Sequence, residues 1–390
     1  MAASFSIYVH LPYCVRKCPY CDFNTYAVTR FPEERYVAAL RREAEHACSS
    51  QPWSGRSVAT VFFGGGTPSL FSPDSLGALL AEFDRSWGIE TGAEITMEAN
   101  PGSFEGSAVH KLKDFRRAGI NRISFGAQSF QVRHLATLGR IHSPQDTIEA
   151  VESARAAGFE NLSCDLIFAI PGQTVEEWAT DLRTLIALQP DHVSAYNLTY
   201  EEGTPMTGLK KAGMLTPAAE ETELEMFRLA RRDLAQAGYA QYEISNFARP
   251  SRQARHNLAY WTWRDYLGLG AGAHGFCGGG SGEDADWGRR YSNRRIPEAY
   301  MSAGRGCWHD TEETLSRRMA VAEFLMVGLR LSDGIDEAEL ASRFQMTLKQ
   351  AAPRSGEFLE RGLLERSGSR VRLTDRGLEI ADAVITRLAA

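Results

Sequence analysis

Short runs of β-branched and aromatic residues alternate with longer amphipathic stretches through the first half of this 390-residue chain. The short runs predict strands at 7–10, 60–63, 94–99, 122–128, 163–168 and 192–197. The stretches between them predict helices at 32–47, 73–87, 104–118, 144–157 and 175–188. Strands that alternate with helices at this spacing are typical of βαβ units around a parallel sheet. The pattern therefore predicts an α/β fold with a partial (β/α)6 barrel, open rather than closed.

Polar and glycine-rich residues follow the predicted strands near the points where the strands end. They are Cys14 to Cys21, Gly64 to Thr67, Glu98 to Pro101, Gln128, Asp165 and Asn197. In barrels of parallel strands, the carboxyl ends of the strands build the active site. The sequence therefore predicts one site, assembled from these residues at one end of the barrel.

From about Thr216 the alternation of strands and helices gives way to other patterns. The next region is rich in aromatic residues and glycine, and it contains the runs His256 to Trp263 and Gly268 to His274. The last region predicts two or three helices, a β-ribbon that turns at Ser367 and Gly368, and a final helix, which is typical of a small α+β, winged-helix-like domain. Three regions result, at 1–215, 216–310 and 311–390.

The charge balance argues against a protein that binds nucleic acid through its overall field, because the net charge is -6 and the pI is near 5.9. The last region has a near-neutral balance, which makes DNA binding the weaker interpretation of its wing. A secretory signal needs a basic segment followed by an apolar one, and the first residues show neither. We therefore expect a cytoplasmic location, with peripheral association with a membrane left open.

Three of the seven cysteines lie close together, directly after the first predicted strand, with the spacing Cys14-x3-Cys18-x2-Cys21. In a reducing compartment, clustered thiols indicate metal ligands rather than disulfides. Three thiolates on one loop can hold three irons of a cubane cluster and leave the fourth iron open for chemistry. The alternative is a zinc ion, with His10 as the fourth ligand of a Cys3His site.

This cysteine spacing follows Tyr8-Val-His10 and is matched by Gly64-Gly65-Gly66-Thr67-Pro68 after the second strand. Together these motifs resemble the radical SAM superfamily. The resemblance implies that a [4Fe-4S] cluster is held by Cys14, Cys18 and Cys21. It also implies that the open iron is chelated by the amino and carboxylate groups of S-adenosylmethionine. Glycines suit such a site because backbone without a Cβ atom can approach the methionine amino group closely.

Further segments resemble the coproporphyrinogen dehydrogenase-like branch of the superfamily, which includes the HemW haem chaperones. They include Glu98 to Pro101, Ser124 to Phe130, Leu138 to Arg140, Asp165 to Ile167 and Pro171 to Thr174. By this resemblance, the residues that contact the cluster-bound S-adenosylmethionine are Tyr8, Tyr20, Gly65 and Glu98. The residues expected to line the neighbouring space, which in the porphyrinogen enzymes holds a second S-adenosylmethionine, are Gly66, Thr67, Gln128, Arg140 and Asp165. A buried carboxylate needs a partner, and we expect Arg140 to pair with Asp165.

Two departures from the porphyrinogen enzymes bear on function. Those enzymes carry a further cysteine two positions beyond the third, where this chain has Phe23. They also carry a substantial N-terminal extension, whereas this chain begins almost at the first strand. Both differences favour haem handling over decarboxylation of coproporphyrinogen.

The segment His256-Asn-Leu-Ala-Tyr260-Trp261 resembles the HNxxYW motif of HemW-type proteins. The imidazole of His256 could ligate haem iron, and the nearby aromatic rings offer flat apolar surface to a porphyrin. The alternative is a packed aromatic cluster around a hydrogen-bonded histidine. The Gly268 to His274 run is expected to approach a cofactor closely, with His274 as the second choice of porphyrin ligand.

The first hypothesis is therefore a radical SAM protein that binds haem and passes it to haem-requiring acceptor proteins such as respiratory enzymes. An electron donor for the cluster would be a further partner. The second hypothesis is an oxygen-independent coproporphyrinogen III oxidase, which removes two carboxyl groups by radical chemistry. The third is a non-catalytic binding module that is stabilised by zinc.

Overall fold

Six parallel strands form the centre of the computed structural model, which describes residues 4–104, 108–279 and 286–389. Each strand pairs in parallel with the next one along the chain. The predicted parallel sheet is thus confirmed, and the carboxyl ends of its strands lie at one edge. The strands are β1 (Phe5–Leu11), β2 (Val58–Gly65), β3 (Ile89–Ala99), β4 (Arg122–Gln128), β5 (Leu162–Phe168) and β6 (His192–Asn197).

Helices connect these strands and pack their apolar faces against the sheet. Val61 and Phe125 from the strands and Leu79 and Trp178 from the helices are members of one buried cluster. Of the predicted helix at 104–118, residues 105–107 lie outside the described part of the chain. The helices are α1 (Glu33–Cys48), α2 (Pro73–Trp87), α3 (Ala108–Arg117), α4 (Val132–Thr137), α5 (Pro144–Ala156), α6 (Val175–Ala187) and α7 (Pro205–Lys211), and single 3-10 turns occur at Pro68–Leu70 and Pro101–Ser103.

Side chains at the helix starts determine where α5 and α6 begin. The hydroxyl of Ser143 accepts a hydrogen bond from the Asp146 N–H at 3.2 Å, and the Asp146 carboxylate accepts one from the Ser143 N–H at 2.7 Å. Thr174 and Glu177 form the same reciprocal pair before α6. Such capping boxes satisfy two N–H groups that would otherwise lack partners. The predicted start of α5 at residue 144 is confirmed.

Residues 216–314 extend the same sheet at both of its edges. At one edge, two short strands pair antiparallel beside β6. At the other, a seventh parallel strand pairs with β1 and is followed by three antiparallel strands. The added strands are β7 (Ala240–Glu243), β8 (Asn246–Ala248), β9 (Tyr266–Leu269), β10 (His274–Gly278), β11 (Gly288–Asn293) and β12 (His309–Thr314), with helices α8 (Glu220–Gln236), α9 (Arg255–Trp261) and α10 (Pro297–Met301). Because β9 pairs with β1, the Gly268 to His274 run lies beside the end of β1.

The C-terminal region forms an α+β domain with the predicted β-ribbon, at whose turn Gly368 takes a φ of 63°. Its core is shared with the preceding region, because Trp263 packs against Phe324 and Phe344, and Phe276 belongs to the same buried cluster. The winged-helix-like prediction is confirmed. Its elements are α11 (Arg317–Gly328), β13 (Ile335–Asp336), α12 (Glu337–Phe344), α13 (Leu348–Ala351), α14 (Ser355–Glu360), β14 (Leu364–Ser367), β15 (Arg370–Leu373), α15 (Asp375–Leu378) and α16 (Ala381–Ala389). Within the described residues, no helix combines the length and the apolar character that a membrane span requires.

Ser143→Ala should lower the free energy of unfolding by about 1 kcal/mol, because it removes half of the capping box of α5. Urea unfolding followed by circular dichroism measures this change. Ser153, inside the same helix, provides the matched control. Ser153→Ala should leave the free energy of unfolding unchanged or raise it slightly, because alanine has the higher helix propensity. Equal stability of Ser143→Ala and the unmodified chain would contradict the role of the cap.

Candidate functional site

The three clustered cysteines lie on the loop that leaves β1. Tyr13–Cys14 pairs in parallel with Tyr26–Ala27, so the loop closes on itself around the cysteines. Cys14 is buried, and Cys18 and Cys21 are half-buried. The Cys21 N–H donates to the Cys18 carbonyl at 3.1 Å, which closes a tight turn between these two ligand candidates.

Opposing electrostatic effects act on the thiols of the loop. Burial raises the pKa of Cys14, and the neighbouring thiols of Cys21 and Cys18 raise it further. Arg140 acts in the opposite direction, since its positive charge lowers the pKa of Cys14 and its Nη1 lies 3.8 Å from Cys18 Sγ. Within the described part of the chain, no three His, Cys, Asp or Glu side chains are already gathered around one metal position.

The glycine loop after β2 packs directly against the cysteine loop. Gly66 N–H donates to the Leu11 carbonyl at 2.8 Å, and Thr67 N–H donates to the Tyr13 carbonyl at 2.9 Å. A Cβ atom on Gly66 would lie 2.6 Å from both of these carbonyl oxygens, a distance that side chains do not tolerate. The hydroxyl of Thr67 also hydrogen-bonds Cys14 and lowers the pKa of that thiol. Glycine at this position therefore permits the contact between the two loops.

Glu98, at the end of β3, faces the glycine loop. Its Oε2 accepts a hydrogen bond from the Gly65 N–H at 3.1 Å. Burial and the negative charge of Asp165 raise the pKa of Glu98 to about 7. The carboxyl and the Gly65 backbone thus lie together, as the sequence predicts for two residues of one cofactor site.

Tyr8 and His10, both on β1, are joined by a hydrogen bond of 2.9 Å between Tyr8 Oη and His10 Nδ1. The other ring nitrogen of His10 donates to the Asn24 carbonyl at 3.0 Å. Because a carbonyl can only accept, Nε2 carries the proton and Nδ1 accepts from Tyr8. Neither nitrogen of His10 is then free to complete a Cys3His zinc site, which removes the ligand that the zinc alternative requires.

Asp165 lies in the barrel interior, but its partners differ from the prediction. Its carboxylate accepts hydrogen bonds from Ser194 Oγ at 2.6 Å and from Ser124 Oγ at 3.1 Å. Arg140 instead donates to the Gly126 carbonyl at 2.8 Å and faces Cys18. The expected ion pair between Arg140 and Asp165 is therefore wrong. The register of β4, β5 and β6 sets the serines beside the carboxylate, and the path of the chain after α4 carries Arg140 to the cysteine loop.

Arg122 is a residue of this site that the sequence analysis did not identify. Its side chain is only 2% exposed, and its Nε has no hydrogen-bond partner among the described residues. It lines the same cavity as Glu98 and Asp165, and its positive charge lowers the pKa of Asp165. One sequence signal could have revealed it: three successive strands carry polar residues two positions apart, which is the spacing of one strand face. These pairs are Arg122 and Ser124, Ser163 and Asp165, and His192 and Ser194.

Tyr20 and Gln128 lie at the margins of the site. Tyr20 packs against a small apolar cluster that includes Leu138 and Met206, and burial raises its pKa. Gln128 ends β4 with a φ of 65°, the left-handed conformation that is uncommon outside glycine. Such strained backbone is enriched at functional sites, which agrees with the predicted position of Gln128 near a ligand.

His256 lies at the start of α9 and is almost completely buried, with 1% exposure. Its Nδ1 is 2.7 Å from Thr60 Oγ1, and its Nε2 is 2.8 Å from Tyr260 Oη. Burial and the charge of Arg122 lower the pKa of His256 to about 3. Because both ring nitrogens are hydrogen-bonded, neither has a free lone pair for an iron. The surroundings of His256 thus match the packed, hydrogen-bonded alternative and argue against the predicted haem contact.

Eight of the predicted residues line two cavities. Tyr8, Gly65, Glu98, Asp165 and His256 line one cavity of about 240 Å³ inside the barrel mouth. Cys18, Thr67 and Arg140 line a separate, small recess. A much larger cavity, of about 890 Å³, lies beside the barrel mouth, and Tyr8, Phe23 and Tyr260 line both this cavity and the barrel cavity.

Comparison with known families is consistent with this arrangement. A family model for the radical SAM superfamily matches residues 8–185, and a model for the HemN C-terminal domain matches residues 315–380. The heme chaperone HemW of Bacillus subtilis is 34% identical over 383 residues, which cover 97% of this chain and 97% of that protein. HemW of Escherichia coli is 35% identical, with 95% of this chain and 94% of that protein covered.

The chain belongs to the radical SAM superfamily, in its HemW group.

A vertebrate relative shows the same extent of similarity. The mitochondrial radical S-adenosyl methionine domain-containing protein 1 of Danio rerio is 35% identical over 98% of this chain and 86% of its own length. Among solved structures, the coproporphyrinogen III oxidase HemN of Escherichia coli matches with a TM-score of 0.81 and 21% identity, over 99% of this chain and 90% of that one. At this identity the match shows a shared fold.

Membership of the radical SAM superfamily implies a [4Fe-4S] cluster and S-adenosylmethionine as bound groups. The described residues fit both. Three thiols lie on one loop, with the guanidinium of Arg140 beside Cys18 to offset thiolate charge. The glycine loop and Glu98 present a backbone N–H and a carboxylate side by side, which suits a zwitterionic amino acid group.

The raised pKa of Glu98 predicts a specific dependence of stability on pH. The carboxyl has an ordinary pKa of 4.5 and a pKa of about 7 in the folded protein, so between these values the folded state holds a proton that the unfolded chain has released. The contribution of Glu98 to stability is therefore complete below about pH 4.5 and is lost as the pH rises through 7.

Glu98→Gln should lose less stability than the unmodified chain as the pH rises through this window. The midpoint of thermal unfolding, recorded over a series of pH values, measures the difference. Glu45→Gln, at an exposed position on α1, is the control and should follow the unmodified chain. Parallel pH profiles for Glu98→Gln and the unmodified chain would contradict a protonated, buried Glu98.

Proposed function

We propose that this protein holds a [4Fe-4S] cluster on Cys14, Cys18 and Cys21, binds S-adenosylmethionine at the open iron, and carries haem to haem-requiring acceptor proteins. The observation that carries the proposal is the pairing of the cysteine loop with the glycine loop beside an aromatic cavity large enough for a porphyrin. Relatives named heme chaperone HemW, similar over nearly the whole chain, support haem as the cargo.

Different residues of the chain would hold the cluster and orient S-adenosylmethionine. A reduced cluster of this kind supplies the electron that cleaves S-adenosylmethionine into methionine and a 5'-deoxyadenosyl radical. The Glu98 carboxylate would accept a hydrogen bond from the methionine amino group, and the Gly65 N–H, which donates to Glu98 Oε2, would hold the carboxylate in place. Arg140 would stabilise the thiolate of Cys18. Gln128 and Asp165 would border the space beyond, as expected for residues near a second ligand.

Phe23 supports haem handling over decarboxylation. Phe23 is 59% exposed and lines the cavities of about 240 and 890 Å³, so an apolar side chain stands where the porphyrinogen enzymes carry a further cysteine. The face of a porphyrin bound in the larger cavity would pack against this ring.

The partners follow from this function. Haem must be received and released, so the acceptors would be apoproteins that require haem, such as respiratory enzymes. The cluster needs an electron donor. We propose a cytoplasmic location, with transient contact with membranes where acceptors are membrane-bound.

The function is tested by titrating the purified, anaerobically reconstituted protein with haem and then adding an apoprotein that takes up haem. We expect saturable binding with a change in the haem absorption spectrum, followed by transfer to the acceptor. Failure to bind haem with the cluster and without it would refute the proposal. Formation of protoporphyrinogen from coproporphyrinogen in the presence of reductant and S-adenosylmethionine would establish the oxidase alternative instead.

Cys21→Ser should abolish cluster binding, because two thiolates no longer hold three irons. Iron and sulfide content after anaerobic reconstitution should fall from about four per chain to well under one. Cys307→Ser is the matched control, since Cys307 is an exposed thiol outside the loop, and it should keep the full content. Unchanged iron in Cys21→Ser would contradict the ligand assignment, and one zinc per chain in the unmodified protein would support the zinc-stabilised alternative.

A further inference from the structure

A cavity of about 890 Å³ lies beside the barrel mouth, bordered by β9, β10, β11 and helix α11. Its volume falls in the range of about 300–1,000 Å³ that is typical of sites for small molecules and cofactors. Flat or polarisable apolar side chains make up much of its wall: Phe23, Trp261, Trp263, Tyr266, Phe276 and Met326. A wall of this kind suits a flat apolar ligand.

His274, at the start of β10, is the histidine in this cavity with a ring available for a ligand. Its side chain is exposed and makes no hydrogen bond with any residue that the structure describes. Partial burial and the charges of Arg295 and Arg290 lower its pKa, so the ring is neutral at neutral pH and keeps a lone pair. His10 also borders the cavity, but both of its ring nitrogens are hydrogen-bonded.

Three arginines line the cavity, and they differ in how they are paired. Arg290 is held by Glu313 and Glu323. Arg264 and Arg295 are exposed, and neither guanidinium forms an ion pair or a hydrogen bond within the described part of the chain. Two available guanidiniums match a ligand with two carboxylates.

We propose that this cavity is the haem site, with His274 as an axial ligand of the iron and Arg264 and Arg295 as partners of the two propionates. The inference rests on the proposed haem-binding function and assigns its site. The assignment also puts haem next to the proposed S-adenosylmethionine site, because Tyr8 and Phe23 line both this cavity and the barrel cavity. His256 then has a different role: it ties α9 to β2 through Thr60.

The test compares histidine variants of the full, cluster-reconstituted chain in haem titrations followed by absorption spectroscopy. His274→Ala should weaken haem binding at least tenfold and remove the spectral signature of an axial histidine. His274→Met should retain binding but shift the spectrum to that of a different axial ligand, a change that a merely structural residue would not cause. His110→Ala, at an exposed position on α3, is the control and should behave as the unmodified chain.

The outcomes separate this inference from the function on which it rests. If the unmodified chain binds no haem, both fail. If it binds haem and His274→Ala binds with unchanged affinity and spectrum, the assignment of His274 is wrong while the function stands.

The propionate contacts are tested with haem and with its dimethyl ester, which lacks the two negative charges. Arg264→Gln and Arg295→Gln should each weaken haem binding about tenfold, as expected for the loss of a charge-assisted hydrogen bond. Binding of the ester should be the same in both variants and in the unmodified chain. Unchanged haem binding, or an equal loss for haem and ester, would overturn the role of the arginines.

Discussion

The parallel pairing of β1 with β2 is the constraint on which the whole site depends. It sets His10 opposite Gly64 and Leu11 opposite Gly65, so the loops that leave the two strands must run against each other. The backbone N–H groups of Gly66 and Thr67 then bond to carbonyls of the β1 loop, at a distance that leaves no room for a side chain on Gly66. Because β3 pairs next to β2, Glu98 comes within hydrogen-bond distance of Gly65. Residues far apart in sequence thus meet because three strands end at one edge.

Much of this could be predicted from the sequence, because periodicity and strand-end polar residues are local signals. The six strands, the cysteine and glycine loops and the position of Glu98 all follow from such signals. Partners across strands do not, because they depend on register. Asp165 was expected beside Arg140, yet register sets it beside Ser124 and Ser194. His256 shows the same limit: its motif is visible in the sequence, but the hydrogen bond to Thr60 on β2 is not.

The backbone contacts of the Gly268 to His274 run explain why it contains glycines, which the sequence pattern alone does not. A Cβ atom on Gly270 would lie 2.4 Å from the His10 carbonyl oxygen, so glycine permits contact with the end of β1. Tyr36 Oη bridges the two segments, donating to the His10 carbonyl and accepting from the Ala271 N–H. The buried carboxylate of Glu43 on α1 accepts the Gly270 N–H at 3.0 Å. The run resembles a dinucleotide loop in composition, but its glycines fix one segment against the barrel.

The hydrogen bonds that hold the Gly268 to His274 run against the barrel also affect which histidine can bind a ligand. A residue that binds a metal in a transferable cargo needs a rigid backbone and a free side chain at once. His256 has a fixed ring whose two nitrogens are occupied, because Nδ1 is hydrogen-bonded to Thr60 Oγ1 and Nε2 to Tyr260 Oη. His274 follows a segment held by Tyr36 and Glu43, while its ring projects into the aromatic cavity without a partner in the described structure. The two histidines therefore differ in what they can bind. The ring of His256 is held by hydrogen bonds within the fold, whereas the ring of His274 is available to bind haem.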